Sequence, residues 1–446
     1  MIPFLAAALS LSLYVGIPST LWNFDGVACA AALELGQPAY FFHSNHLFYA
    51  FFGYFFWKWL ALPCGITRAL PALQLFTSLC AAAGLAGLFR VLRFLLKKDI
   101  PTLLLTLGLS VTAAFWVWSI EAQVYALGFL ALAWATYFLI AYPGSDKYIW
   151  VGLLHAGAIL GHVLHVLWVI PALYWMWGDR KAIQKYLAFA SLGTAIPYVM
   201  VLAFVIAPGR SLARILIWLK GSAALTPDRS WAWHFPGPTG PWLWLKSTAP
   251  ALWGSFWPYQ NTSLSTEMWM VAVVSILIMT ALVLRGGWQK PDKVVRFGWL
   301  WLGVYGLFLS TWEPTTYCYR MTDVIPLGLL MALGLKSFEP KLQWILSMVF
   351  LGTTLTLNAA TRALPMHDAT LNEVYQDTLS LSKITPADSL YITPGGVPWI
   401  YLLYFTGRTA WNANSLDSKR LAEAIHKQKR EHPVYVLEGQ KWRKVP

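Results

Sequence analysis

The chain has 446 residues, of which 57% are hydrophobic and only 12% charged, with 26 Trp and a formal net charge of +13. That composition excludes a soluble globular protein, and its apolar runs reach the ~20 residues needed to cross a bilayer, so the sequence reads as a polytopic membrane protein. The positive charge does not point to nucleic acid, because Lys and Arg in such a chain are first of all signals of topology.

The run from Met1 to Thr20 reads as an uncleaved first span. Basic clusters follow at "RVLRFLLKK" (90–98), "GDRKAIQK" (178–185) and "RGGWQKPDKVVR" (285–296), with weaker ones at Lys147 and between Lys336 and Lys341. Placed inside, these loops hold 14 of the 33 Lys and Arg, while the short outer loops hold Lys58, Arg68 and Arg320. This bias sets the parity of the crossings. Residues 67–96 must then be the return crossing. The aromatic stretch 46–62, "HLFYAFFGYFFWKWLAL", becomes a juxtamembrane helix at the interface within a first outer loop spanning 22–66. Further spans are expected near 100–118, 123–142, 148–161, 164–177, 186–207, 267–284, 297–311, 322–336 and 342–358, which makes eleven. The pair 148–161 and 164–177 is short and joined at "GHVLH" with almost no loop.

Residues 208–266 carry seven Trp and the segment "HFPGPTGPW", which predicts an ordered outer loop without a long regular helix. Residues 1–358 therefore form a transmembrane domain. Residues 359–446 read as a small α/β domain on the outer face, with strands at "DSLYIT" and "PVYVLEG" and helices near 370–382, 397–406 and 416–430. The cysteines Cys29, Cys64, Cys80 and Cys318 have no metal-ligand spacing.

With this parity the unusual polar residues fall on one side of the membrane. The first loop carries Asp25, Glu34, His43 and His46, followed by Tyr49; "WSIEAQVY" supplies Glu121 and Tyr125; "GHVLH" supplies His162 and His165; "TWEPTTYCYR" supplies Glu313 and Arg320. Charges and imidazoles at such depth need a cavity or a partner, so an outward polar cavity is expected. Each also has a plainer role. Asp25 could cap the helix that follows it, Glu34 could be a solvated face of that helix, and Glu121 could sit at a helix start favoured by the macrodipole. His43 and His46, like His162 and His165, would share one helical face or serve as hydrogen-bonded structure. Arg320 could be a snorkelling anchor.

The chemistry open to this set is sugar transfer from a lipid phosphate. Arg320, with Arg210 or Arg214, would offset the phosphate charge as it leaves. Asp25 would take the proton of an acceptor hydroxyl as its oxygen attacks the anomeric carbon, with inversion there, and Glu121 would orient acceptor or sugar. The histidines and the tyrosines Tyr49 and Tyr125 would contact phosphate or sugar hydroxyls. A divalent cation is the one cofactor left open.

The "NFDG" acid after the first span, the interfacial "HSNHLFY", the second acid in "SIEAQVY" and the "WEPTTYCYR" loop together resemble GT-C glycosyltransferases, nearest to the protein O-mannosyltransferase and aminoarabinose transferase branch. The resemblance implies Asp25 as the catalytic acid, Glu121 as its companion, and often a C-terminal extracytoplasmic domain. Two departures stand out: no second acid adjoins Asp25, which weakens a metal site, and "HSNH" separates the usual neighbouring histidines. The expected protein is an inverting transferase in a bacterial inner membrane with its site facing the periplasm. It would take a polyprenyl-phosphate sugar and an acceptor glycan, lipid or protein. A lipid-linked saccharide flippase and a polymerase or ligase using a lipid-diphosphate donor are the alternatives.

Overall fold

The computed structural model describes residues 2–36, 41–209, 211–219, 237–254, 265–288, 292–413, 423, 425, 428, 432–438 and 441–445. The apolar runs become helices: α1 (Ile2–Gly16), α2 (Phe24–Glu34), α3 (Tyr49–Phe56), α4 (Ala69–Leu96), α5 (Asp99–Ser110), α6 (Ala113–Ile120), α7 (Tyr125–Ile140), α8 (Lys147–Gly161), α9 (Val169–Met176) and α10 (Arg180–Val201). After these come α11 (Leu212–Leu219), α12 (Gly240–Trp253), α13 (Thr266–Gly287), α14 (Lys293–Thr311), α15 (Val324–Lys336), α16 (Pro340–Asn358), α17 (Leu364–His367), α18 (Glu373–Ile384) and α19 (Val397–Tyr401). Among the described residues six helices are long and apolar enough to cross a membrane, and a seventh crossing arises if α5 and α6 count as one span bent by 70°. The chain is an integral membrane protein. Several of the other expected spans are helices of 10–17 residues.

The bend between α5 and α6 frees backbone groups that lipid cannot satisfy. Asn358, fully buried at the end of α16, donates from Nδ2 to the Val111 carbonyl at 2.8 Å and to the Leu252 carbonyl at 3.0 Å. Tyr14 of α1 donates its hydroxyl to the Ser110 carbonyl at 2.8 Å. The break is thereby closed by side chains from two other helices.

Helices α13 and α15 approach closely because both carry glycine at the crossing. A Cβ on Gly286 would lie 2.0 Å from the Leu330 carbonyl oxygen, and one on Gly334 would lie 2.1 Å from that of Leu282. Backbone cannot move aside as a side chain can. Gly334→Ala is therefore expected to cost about 1–3 kcal/mol of stability, read as a lower melting temperature in detergent. An unchanged midpoint would mean that the helices are not in this contact.

The segment 208–266 departs from expectation. A regular helix of 14 residues, α12, forms within it, because Pro241 falls in the first turn, where its missing N–H is not needed, and Gly254 closes the helix at φ 49°. The C-terminal part holds a four-stranded sheet in the order β2-β1-β3-β4, with β1 (Leu390–Thr393), β2 (Thr409–Asn412), β3 (Val434–Glu438) and β4 (Lys441–Lys444). β1 runs parallel to β2 and β3, and β4 is antiparallel to β3. β1 and β3 are the two expected strands. β2 ("TAWN") and β4 ("KWRK") were not expected, being too short and polar to show apolar alternation. The helix expected at 416–430 falls almost wholly outside the described residues. α16 continues through a π turn (359–363) into α17, so the helix passes position 358 without a break.

Candidate active site

Asp25 stands in the first turn of α2, exposed, and is not the cap of that helix. Asn23 is: its side chain accepts the Asp25 N–H at 2.9 Å. The Asn23 N–H in turn points to Glu121 Oε2 at 3.4 Å, joining the segment between α1 and α2 to the link between α6 and α7. Gln74 of α4 adds two bonds there, to the Ser19 carbonyl at 2.8 Å and the Ile120 carbonyl at 3.0 Å.

Glu121 does not begin a helix. It ends α6, at the pole a carboxylate does not favour, and α7 starts only at Tyr125. It is 1% exposed and Oε1 has no hydrogen-bond partner among the described residues. Its contacts run to the first loop rather than outward. Burial pushes its carboxyl from 4.5 up to about 8, against the hydrogen bonds from Ser19 and Asn23. The folded protein therefore keeps a proton that the unfolded chain loses, so this site's contribution is full below pH 4.5 and fades as pH rises through 8. Glu121→Gln should remove that decline, which melting curves of both proteins across the window would show; parallel curves would refute it.

Glu34 is exposed, as expected, but its carboxylate is not left to solvent alone. Its Oε1 accepts from Arg68 Nε at 3.0 Å, from the Ala69 N–H at 2.7 Å and from the Tyr404 hydroxyl at 2.8 Å, while Arg68 lies 4.2 Å from the Tyr404 ring centre. One carboxylate thus fastens α2 to the start of α4 and to the C-terminal part.

Asp25 is near enough for its charge to act on Tyr125, Cys318 and Tyr319. The Tyr125 ring lies 5.5 Å from Tyr319 and 5.5 Å from His162, and His162 lies 5.6 Å from Tyr319. Trp312 covers Tyr319 at 5.1 Å, and Glu313 accepts the Thr316 hydroxyl at 2.7 Å. Tyr319 escaped notice in the sequence, and Cys318 was weighed only as a metal ligand. They lie in the quoted "TTYCYR" beside the charged Arg320, which drew the attention.

The histidine pairs come together by turns, not along a helix face. The His46 N–H returns to the His43 carbonyl at 3.1 Å, and the rings stack 4.2 Å apart at 4°. The first loop is then tied to the "GHVLH" link, with the Val163 N–H donating to the Asn45 carbonyl at 2.7 Å and the Phe48 N–H to that of Leu160 at 3.0 Å. Burial first, then the neighbouring His43 and His162, hold His46 well below the ordinary imidazole range, so it is neutral at pH 7. His162 caps the helical turn that follows it by accepting the Leu164 N–H at 3.2 Å. His165 faces away into the bundle, with Nδ1 3.2 Å from the Tyr305 hydroxyl and Nε2 seated against Gly128.

Two expected ligands are engaged elsewhere. Tyr49 is buried, and its hydroxyl pairs with Thr77 at 2.9 Å on α4. Arg320 is 5% exposed, neither clamp nor snorkelling anchor: Nε donates to Asp323 at 2.5 Å, and its terminal nitrogens donate to the Trp244 carbonyl, Ser247 and Thr248 at 3.0–3.2 Å. Arg210 and the side chain of Arg214 lie outside the described residues. Among the described residues no three His, Cys, Asp or Glu side chains converge as metal ligands.

No family model matches the chain, and no curated protein matches it in sequence. Solved structures do match. ArnT, the aminoarabinose transferase from Cupriavidus metallidurans, bound to undecaprenyl phosphate, aligns over 97% of this chain and 88% of its own with TM-score 0.60 at 10% identity. Its apo state gives 0.59 over 97% and 92%, again at 10% identity. The archaeal oligosaccharyltransferase AglB from Archaeoglobus fulgidus, in complex with an inhibitory peptide and a dolichol-phosphate, gives 0.56 over 98% and 69%, at 10% identity. Over nearly its whole length the chain has the GT-C glycosyltransferase fold that its short motifs resemble.

Proposed function

We propose that the protein is an inverting glycosyltransferase that takes a sugar from a polyprenyl-phosphate donor at the extracytoplasmic face of the membrane, that of a bacterial inner membrane. The observation that carries this is the placing of Asp25: exposed in the first turn of α2, with Tyr125 and Tyr319 within reach of its charge, in a fold shared with an ArnT bound to undecaprenyl phosphate. Eleven helical crossings with the N-terminus inside bring that face outward, and residues 359–446 form a domain on the same side.

Asp25 accepts the proton of the acceptor hydroxyl while the acceptor oxygen bonds to the anomeric carbon from the face opposite the phosphate. The carbon–oxygen bond to phosphate breaks with its electron pair going to the phosphate, which leaves as the polyprenyl phosphate. Arg320 is committed to Asp323, so the leaving group draws its hydrogen bonds from the imidazoles of His43, His46 and His162 and from Tyr125 and Tyr319. Glu313 holds the loop that carries Cys318 and Tyr319, and Glu121 holds Asn23.

The test is a panel of polyprenyl-phosphate and polyprenyl-diphosphate sugars supplied to the purified protein. Consumption of a monophosphate donor with an inverted product is expected. Use of diphosphate donors alone would favour a polymerase or ligase, and movement of a lipid-linked saccharide without consumption would favour a flippase.

A further inference from the structure

Residues 18–23 run from α1 into α2 and set where Asp25 stands. They have irregular backbone, so their polar groups must find partners outside the segment. The C-terminal part supplies most of them. His367 Nδ1 donates to the Pro18 carbonyl at 2.8 Å, the Thr20 N–H donates to the Met366 carbonyl at 2.7 Å, Asn372 Nδ2 donates to the Thr20 carbonyl at 2.7 Å, and the Tyr401 hydroxyl donates to the Trp22 carbonyl at 2.6 Å. Asn372 and Tyr401 are both buried, and Asn372 Nδ2 also reaches the Tyr401 hydroxyl at 3.2 Å. The Trp22 ring lies 5.0 Å from Tyr375 and 4.7 Å from Phe405, and Phe24 stacks on Trp399 at 6.3 Å. At the other end of α2, Glu34 is held by the Tyr404 hydroxyl.

We infer that residues 366–405 form a clamp on the loop bearing Asp25, and that Asn372 and Tyr401 are positioning residues for it. This rests on the reading of Asp25 as the base. Both ends of α2 are gripped by the same C-terminal stretch, and the carbonyl three residues before the Asn23 cap and the one directly before it take their bonds from Asn372 and Tyr401. A base displaced by about 1 Å loses most of its effect while the donor's other contacts remain. The clamp therefore acts on the chemical step and not on donor binding.

The test uses the full chain in lipid nanodiscs with Tyr401→Phe, which keeps the ring, and Asn372→Ser, which keeps a short polar side chain. Amide exchange in residues 19–27 should rise about tenfold or more with exchange in α4 unchanged, and kcat on a working donor should fall about tenfold or more with the donor KM within about twofold. Wild-type exchange in 19–27 in both variants would overturn the clamp. A rise in donor KM with kcat unchanged would overturn the positioning role. Faster exchange in 19–27 in a protein whose wild type consumes no donor would support the clamp while refuting the enzyme.

Discussion

Replacing Asp25 by asparagine is expected to reduce donor consumption by about 10²–10⁴-fold, the contribution of a positioned general base. The substitution is mild in structural terms. Asp25 enters the capping of α2 through its backbone N–H, which Asn23 accepts, and asparagine keeps that group. The side chain is exposed, so asparagine, of nearly the same size, fits there. Single-turnover measurements should show an unchanged donor KM with the loss confined to the chemical step, because the imidazoles and tyrosines proposed to hold the phosphate are untouched. Wild-type consumption by the variant would remove Asp25 from the mechanism.

Asp323→Asn is expected to destabilise the protein by about 3–5 kcal/mol, read as a large fall in melting temperature or in folded yield. Arg320 and Asp323 meet at 2.5 Å with both side chains only 5% exposed, and the variant leaves a buried guanidinium without its countercharge. Replacing both residues by leucine should recover much of the loss, since the cost lies in the uncompensated charge and not in the missing pair. The double variant also separates structure from chemistry. If it folds and consumes donor, Arg320 is not the phosphate ligand that its place in the sequence suggested.

Part of the candidate site's layout was legible from sequence position alone. An acid just after the first apolar run, a second acid between two uncharged runs and an imidazole-rich link mark the ends of helices, and the fold brings those ends together. What could not be read was which way each side chain turns. Arg320 looks like an interfacial cation because a span follows it, yet Asp323 one turn on and the α12 residues Trp244, Ser247 and Thr248 draw it inward. Glu34 looks as if it faced solvent alone because it ends a short helix, and its three partners come from 34, 35 and 370 residues away. β2 and β4 were missed for a related reason: each takes its register from a neighbouring strand, not from its own pattern of apolar residues.

The last long helix carries a mechanical consequence. Because α16 runs through its π turn to His367 without a break, its tilt in the bilayer is delivered directly to Met366 and His367, and from there to Pro18 and Thr20 on the way to Asp25. Helices answer a mismatch in hydrocarbon thickness by tilting. Catalysis should accordingly respond to the acyl-chain length of the surrounding lipid, a variable that touches none of the residues around the sugar.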